Sequence, residues 1–210
     1  MGKAEENKQK KRNSLLSQAY ALFTANGISN TTIADIASHA GVAKGTFYSY
    51  FKDKDDLIDR LIAQKAETLL LKAIDSLKQR EKVEALGGVI LTVEEKIILL
   101  CDHLISELNN DPHLLKFLNK RLNLGFYMKA YTRDNFIGNL DIKQMYLDLI
   151  TSDGSRWSDP ELMLYCIVEF TSSTIHSVII DSQPVDLETY KPHLFRCLRS
   201  IMASYKIETE

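Results

Sequence analysis

The side chains best suited to a chemical task in this chain lie close together, between residues 44 and 52. They share one face of a short helical stretch and combine hydroxyls, two ammonium groups and an uncovered glycine backbone. Such groups suit contacts with phosphates and with the edges of bases. The residues of this polar face are Lys44, Gly45, Thr46, Tyr48, Ser49 and Lys52.

Two short helices must position this face, and the sequence predicts both. Thr32 and Asp35 resemble a capping box, with Asp in place of the usual Glu, at the start of the first helix. Gly41 ends that helix, because glycine enters the left-handed conformation without steric cost. Phe47 and Phe51, four residues apart, give the second helix an inward face. The apolar positions of the first helix are Ile33, Ile36, Ala37 and Ala40.

A short turn between two small amphipathic helices is typical of a helix-turn-helix, whose second helix presents its N-terminal residues to the major groove. The alternative from these residues alone is a small helical hairpin with a solvated polar face. A short motif of this kind has false matches, so the spacing by itself leaves both interpretations open.

With these residues in view, the sequence resembles the TetR family of bacterial transcriptional regulators over about residues 9–69. The most specific part is the run GVAKGTFYSYFKDKDDL, residues 41–57. Ala43 departs from the family pattern, in which Ser is frequent, and cannot supply a side-chain oxygen to cap the second helix. The further matching residues are Ala19, Leu22, Phe23, Gly27, Thr32, Ile33, Ile36 and Ala37.

The resemblance implies an all-α protein with two domains. A three-helix DNA-binding domain would span residues 9–69, with its motif at 32–51, and a helical effector-binding and dimerisation domain would span 75–206. We expect Lys52 and Lys54 to contact phosphates, and Thr46 and Ser49 to contact base edges. The candidate DNA-binding residues are Thr32, Lys44, Gly45, Thr46, Tyr48, Ser49, Tyr50, Lys52 and Lys54.

The charge distribution agrees with this division. The chain has 210 residues and a formal net charge of −2, but residues 1–52 carry +4 and the remainder −6. A basic N-terminal part followed by an acidic remainder is expected when only the N-terminal part binds DNA. The cluster Lys8, Lys10, Lys11 and Arg12 has two equal interpretations, a solubilising tail or an arm that contacts DNA.

Helical periodicity predicts the remaining elements. A first helix is expected over Lys10–Asn26 after a frayed segment 1–8, and a long helix from an Asp53 cap to about Lys82. A helix capped by Thr92 ends near Asn109, and Pro112 begins the next. Two further helices are expected around 126–135 and 141–151. The last two predicted helices span 159–181 and 187–205, and Pro192 requires a kink in the second or a later start near Lys191.

The helix at 159–181 is apolar nearly all round, so both of its sides need cover. The resemblance implies that it pairs with the last helix to form a homodimer. A twofold dimer would place its two recognition helices on successive major grooves of a near-palindromic operator in double-stranded DNA.

The resemblance also implies a small-molecule effector in the second domain. Aromatic and histidine side chains offer contacts there, although most aromatics on a helical stripe belong to a core. Few charges are predicted to point inward, which favours an apolar or neutral effector. The candidate effector-binding residues are His103, Phe117, Phe126, Tyr127, Tyr131, Tyr165, Phe170 and His176.

Other classes of function are less well supported. The sequence contains no phosphate-binding glycine loop or zinc-protease motif, so we expect no enzyme, cofactor or metal. The odd number of cysteines and the charged N-terminus indicate a reducing, cytoplasmic setting, and the cysteines are expected to be buried rather than redox sensors. Charges and hydroxyls interrupt the apolar runs, so no membrane span is expected. The alternative function is a DNA-binding protein of this fold that acts through a protein partner.

Overall fold

The fold is built from α-helices, as the periodicity predicts. The computed structural model describes residues 2–119 and 142–208. Its chain divides into two compact units, Met1–Lys65 and Ala66–Glu210. The described helices are α1 (Lys3–Asn26), α2 (Ile33–His39), α3 (Lys44–Phe47), α4 (Lys54–Leu86), α5 (Val93–Asn110), α6 (Pro112–Asn119), α7 (Ile142–Ile150), α8 (Pro160–Asp181) and α9 (Leu187–Tyr205).

The first unit encloses a small apolar core. α1 packs on α2, and α2 packs on α3. Phe47 and Phe51 are buried together, with ring centroids 5.4 Å apart. The hydroxyl of Thr31, itself buried, donates to the carbonyl oxygen of Gly27 at 2.9 Å and fixes the chain as it leaves α1. The other core side chains include Leu15, Leu16, Ala19, Phe23, Ile36, Leu57, Ile58 and Leu61.

The start of α1 differs from the prediction. The helix begins at Lys3 rather than Lys10, so the expected frayed segment is largely helical and fully exposed. Ala, Glu, Lys and Gln favour helix, and Glu5 and Glu6 lie in the first turn, where the helix dipole favours acids. Helix propensity therefore extends α1 beyond its buried stripe.

In the second unit, α8 packs on α9 and α6, and α5 packs on α6, α7 and α9. The loop after α7 is held by the indole of Trp157, which donates to the carbonyl oxygen of Ile150 at 2.7 Å. Lys96 is almost fully buried, and its ammonium lies 3.0 Å from a Glu81 carboxylate oxygen and 2.9 Å from the Ser152 hydroxyl. The end of α9 is joined to this loop by a hydrogen bond, in which the Ser158 amide donates to the carbonyl oxygen of Tyr205 at 2.8 Å.

Several predicted boundaries hold and others do not. α5, α8 and α9 begin at the expected caps, Thr92, Asp159 and Asp186. α4 continues to Leu86, past the expected end near Lys82, since the first breaker is Gly87. The helix expected around 126–135 lies outside the described residues, and the one expected at 141–151 is α7.

The predicted later start of α9 near Lys191 is wrong. Asp186 caps the helix by accepting from the Thr189 amide at 2.9 Å, and Pro192 lies inside the helix. Proline removes one backbone donor, so the intrahelical bond that residue 192 would form is lost. The N-terminal cap and the burial of Leu187 and Leu194 support the helix on both sides of that position.

Candidate DNA-binding interface

The interface begins at a capping box that fixes the start of α2. The amide of Asp35 donates to the Thr32 hydroxyl at 3.2 Å, and the amide of Thr32 donates to the Asp35 carboxylate at 2.8 Å. The Thr32 hydroxyl also donates to that carboxylate at 2.7 Å. These bonds lower the pKa of Asp35, because a carboxylate that accepts hydrogen bonds is stabilised in its charged form.

The turn between α2 and α3 is set by Gly41. Its φ of +68° lies in the left-handed region, where a side chain would be strained. The amide of Val42 then donates to the carbonyl oxygen of Ala37 at 3.0 Å, which closes the turn. As the sequence predicts for Ala43, its side chain supplies no capping hydrogen bond to α3.

α3 is short, but helical hydrogen bonding continues past its end. The amides of Tyr50 and Phe51 both donate to the carbonyl oxygen of Phe47, at 2.9 and 3.0 Å. Phe47 and Phe51 are 0% and 1% exposed, so they anchor this segment to the core. The residues on the opposite side consequently face outward in a fixed register.

The structure places most of the predicted DNA-binding residues on this outward side. Tyr48 is 51% exposed, with its ring edge-on to Phe47 at 5.4 Å between centroids. Thr46 and Tyr50 are half-buried. The exposed members are Thr32, Lys44, Gly45, Tyr48, Ser49 and Lys52.

Gly45 is not required by the fold itself. Its φ is not positive, and a Cβ added to it would meet no atom within 4 Å. Neither the backbone nor the packing of the described chain explains a glycine there. A bare backbone on an exposed recognition face permits close approach of another molecule, which fits contact with a DNA strand.

Lys54 differs from the other predicted contacts. Its ammonium donates to the carbonyl oxygen of Ile28 at 2.5 Å and lies 5.9 Å from the centroid of the Phe23 ring. The side chain is half-buried. Lys54 therefore ties the start of α4 to the loop after α1. Lys52, in contrast, is exposed directly after residues 44–51, the segment that we call the recognition segment.

The predicted effector residues do not converge in the described part of the chain. His103 lines a cleft between α4 and α5, but Phe117 is buried and Tyr165 is 37% exposed on α8. Phe170 and His176 are half-buried on α8. Phe126, Tyr127 and Tyr131 lie outside the described residues.

The polar residues that line that cleft together with His103 were not predicted; they are Ser76, Arg80, Asp102 and Ser106. These residues come from two helices, so no single motif contains them. The available signal was spacing, since Asp102, His103 and Ser106 share one face of α5.

The three cysteines are free and half-buried. Burial, and second the neighbouring Asp102 charge, raise the pKa of Cys101 to about 12. Its thiol is therefore protonated at neutral pH, which disfavours reactivity at this position.

α8 meets the length and composition requirements for a membrane span, contrary to the expectation that charges and hydroxyls would prevent it. This is weak evidence for a membrane, because an apolar core helix passes the same test. Only 22% of its most apolar 18-residue window is buried within the chain, however. Most other residues of the helix are half-buried, and Leu162 and Tyr165 are exposed, so part of its apolar surface is uncovered.

Comparison with known proteins agrees with the geometry of the first unit. Residues 15–61 match the family described as bacterial regulatory proteins, tetR family. The chain is 39% identical over 59 residues to the HTH-type transcriptional regulator AcrR of Shigella flexneri, covering 28% of this chain and 27% of that protein. It is 24% identical over 192 residues to an HTH-type transcriptional regulator of Staphylococcus aureus, covering 91% of each.

Solved structures share the fold over most of the chain. One is the transcriptional regulator FadR from Bacillus subtilis in complex with stearoyl-CoA, with a TM-score of 0.58, 22% identity and coverage of 88% of this chain and 96% of that one. Another is a TetR family transcription regulator from Marinobacter aquaeolei, with a TM-score of 0.56, 15% identity and coverage of 97% and 100%.

The fold and the recognition segment define a helix-turn-helix transcriptional regulator. Over residues 15–61 the chain matches the tetR family of bacterial regulatory proteins, and this match covers the helix-turn-helix of the first unit.

Proposed function

We propose that this chain is a homodimeric repressor that binds a near-palindromic operator and releases it when a small effector occupies the second unit. The observation that carries the dimer is the uncovered apolar surface of α8. Leu162 and Tyr165 are 45% and 37% exposed on that helix. Burying a fully exposed apolar side chain contributes about 1.5–3 kcal/mol, so covering these part-exposed side chains contributes a fraction of that each, and a second copy is a favourable cover.

Dimerisation increases the number of base pairs that the recognition segments can contact. A single short helix contacts few base pairs, whereas two copies related by a twofold axis read two half-sites about 34–36 Å apart. We assign α8 and α9 to the interface, because they pack on each other and part of the apolar surface of α8 is uncovered.

Effector control requires that the bound and free states differ in affinity for DNA. A coupling free energy of about 1–3 kcal/mol, typical of allosteric pairs, would lower operator affinity by roughly 5–150-fold. The FadR structure is a complex with stearoyl-CoA, so a fold of this kind accommodates an acyl-CoA in that protein. We take this as support for an effector site here, and not for the same effector.

The dimer is tested by the molar mass of the full chain in light scattering. Tyr165→Glu places a charge on the proposed interface, and we expect it to convert a dimer to a monomer and to weaken operator binding. Leu71→Glu is the matched control, because Leu71 is also apolar and 46% exposed but lies on α4. A wild-type monomer, or an equal effect of both variants, contradicts the interface.

A second candidate function is favoured by one further observation. Apolar side chains are exposed where α4 ends, with Leu86 at 90% and Ile90 at 86%. This surface fits a DNA-bound regulator that acts through a protein partner. Leu86→Asp would then abolish regulation of a reporter gene while leaving operator affinity and molar mass unchanged. Regulation that survives the substitution rejects this function.

A further inference from the structure

The cleft between α4 and α5 in the second unit combines opposed polar groups. Its volume is about 180 Å³. Ser76 and Arg80 come from one face of α4, since they are four residues apart, and Leu77 adds apolar surface beside them. The α5 wall contributes Asp102, His103 and Ser106, which are also at helical spacing.

His103, which lines this cleft, has a buried polar atom without a partner. Its Nε2 atom is buried and has no hydrogen-bond partner among residues 2–119 and 142–208. A buried polar atom without a partner costs free energy, and native structures contain few of them. A ligand in the cleft would supply the missing partner, and the Ser76 and Ser106 hydroxyls lie on the same two walls.

The charged groups of the cleft differ in how firmly they are paired. Asp102 is paired with Lys191, whose ammonium lies 2.9 Å from the Asp102 carboxylate and whose side chain is 18% exposed. Arg80 pairs with Glu84 at 2.5 Å, but its side chain is 57% exposed, so this ion pair is weak. A guanidinium also carries five donors in a planar fork, and one carboxylate partner leaves others free.

From these groups we infer that the cleft binds a small organic carboxylate and is the effector site of the proposed repressor. The ligand carboxylate accepts hydrogen bonds from Arg80, His103 and a serine hydroxyl, and its short apolar body lies against Leu77. The carboxylate site stands on its own, and only its role as the effector site rests on the proposed function. The cleft is smaller than the about 300–1,000 Å³ of sites for drug-sized ligands, which excludes a long acyl chain.

A ligand in the cleft would also change the contacts of α9. The ammonium of Lys191, on α9, donates to the Ser106 hydroxyl at 3.2 Å as well as pairing with Asp102. A carboxylate that bonds to Ser106 competes with Lys191 for the same wall of the cleft. Binding therefore changes how α9, a helix of the proposed dimer interface, is held against α5.

The test is calorimetric titration of the full-length chain with butyrate, benzoate and succinate, with benzamide and inorganic phosphate as comparison probes. We expect at least one of the three acids to bind, and benzamide and phosphate to bind at least about tenfold more weakly, as a charge-assisted bond requires. Arg80→Gln and His103→Gln should each weaken the acid about tenfold or more. Lys78→Gln, an exposed residue on α4 outside the cleft, removes the same charge and should have no effect.

Several results overturn the inference. They are the absence of binding by all three acids, benzamide or phosphate binding as tightly as the acid, and equal effects of Arg80→Gln and Lys78→Gln. Unfolding midpoints of the variants are measured alongside, and Arg80→Gln keeps the test valid if His103→Gln does not fold, because Arg80 is exposed.

Operator release is measured separately, so that the two proposals fail independently. If stearoyl-CoA releases DNA equally from wild type and Arg80→Gln, the repressor stands and the cleft assignment is wrong. If an acid binds the cleft but leaves operator affinity unchanged, the carboxylate site stands and its role as effector site is wrong.

Discussion

Lys52 and Lys54 are two positions apart in one motif, yet their surroundings differ. The Lys52 side chain is exposed beside the recognition segment, whereas the Lys54 ammonium is bonded to the carbonyl oxygen of Ile28. Both lysines are predicted from the sequence to contact DNA phosphates. The bond of Lys54 joins residues 26 positions apart, so motif spacing alone did not reveal it.

Lys52→Ala is expected to weaken binding to all DNA sequences about equally. A lysine that contacts one phosphate releases about one counterion, so the slope of log affinity against log salt should fall by about one unit. Fluorescence anisotropy at several salt concentrations measures this slope, with Lys78→Ala as the control cation. A change in sequence preference with nonspecific affinity intact would show that Lys52 reads bases instead.

Lys54→Ala is expected to lower the stability of the folded chain. It removes a charged hydrogen bond and a cation–π contact in a half-buried setting, for which a loss of about 1–2 kcal/mol is reasonable. Urea denaturation measures the difference, and Lys52→Ala, which removes an exposed ammonium, should leave the free energy of unfolding nearly unchanged. Equal stability of the two variants would mean that the Ile28 bond contributes little.

At the scale of elements, the features that could be predicted are local ones. Thr32 with Asp35 and Thr92 with Glu95 form complete capping boxes, and Asp159 and Asp186 cap α8 and α9. Each depends on residues within one helical turn, so spacing is sufficient. The start of α1 depends on helix propensity over a longer stretch, and the prediction was wrong there. For Pro192 the sequence left a kink or a later start open, and the structure excludes the later start.

Thr32→Ala is expected to destabilise the first unit by about 0.5–2 kcal/mol, the usual cost of losing a capping side chain. Thr92→Ala removes the corresponding two side-chain hydrogen bonds at the start of α5, keeps the bond donated by the residue 92 amide, and is the matched variant. Both should lower the free energy of unfolding, but only Thr32→Ala should weaken DNA binding. If both variants bind DNA more weakly, the loss of DNA binding is not caused by a change in the position of α2.

The same box predicts a dependence on pH. Hydrogen bonds from the Thr32 side chain and then its amide lower the pKa of Asp35 from the ordinary value of 3.8. A lowered pKa stabilises the fold above that value, and the contribution is lost as the pH falls through the lower, folded-state pKa. Between about pH 5 and pH 2, wild-type stability should therefore fall more steeply than that of Thr32→Ala. Parallel curves in urea denaturation would contradict the assigned cause.

At the scale of the whole molecule, the class of fold and the helix-turn-helix could be predicted, and the proposed effector cleft could not. The recognition residues lie within one continuous stretch, and their register follows from the buried pair Phe47 and Phe51. The cleft instead requires Arg80 from α4 and His103 from α5, which only packing brings together. Of the eight predicted effector residues, His103 alone lines it, and three lie outside the described residues.

The central claim, a twofold dimer on a near-palindromic operator, is tested most directly by a hydroxyl-radical footprint on the DNA upstream of the chain's own gene. We predict two protected segments related by twofold symmetry, with centres about 10 base pairs or a multiple of this apart. Protection should weaken as salt is raised, since phosphate contacts release counterions. A single protected half-site, or uniform protection without sequence preference at any salt concentration, would contradict the dimeric repressor.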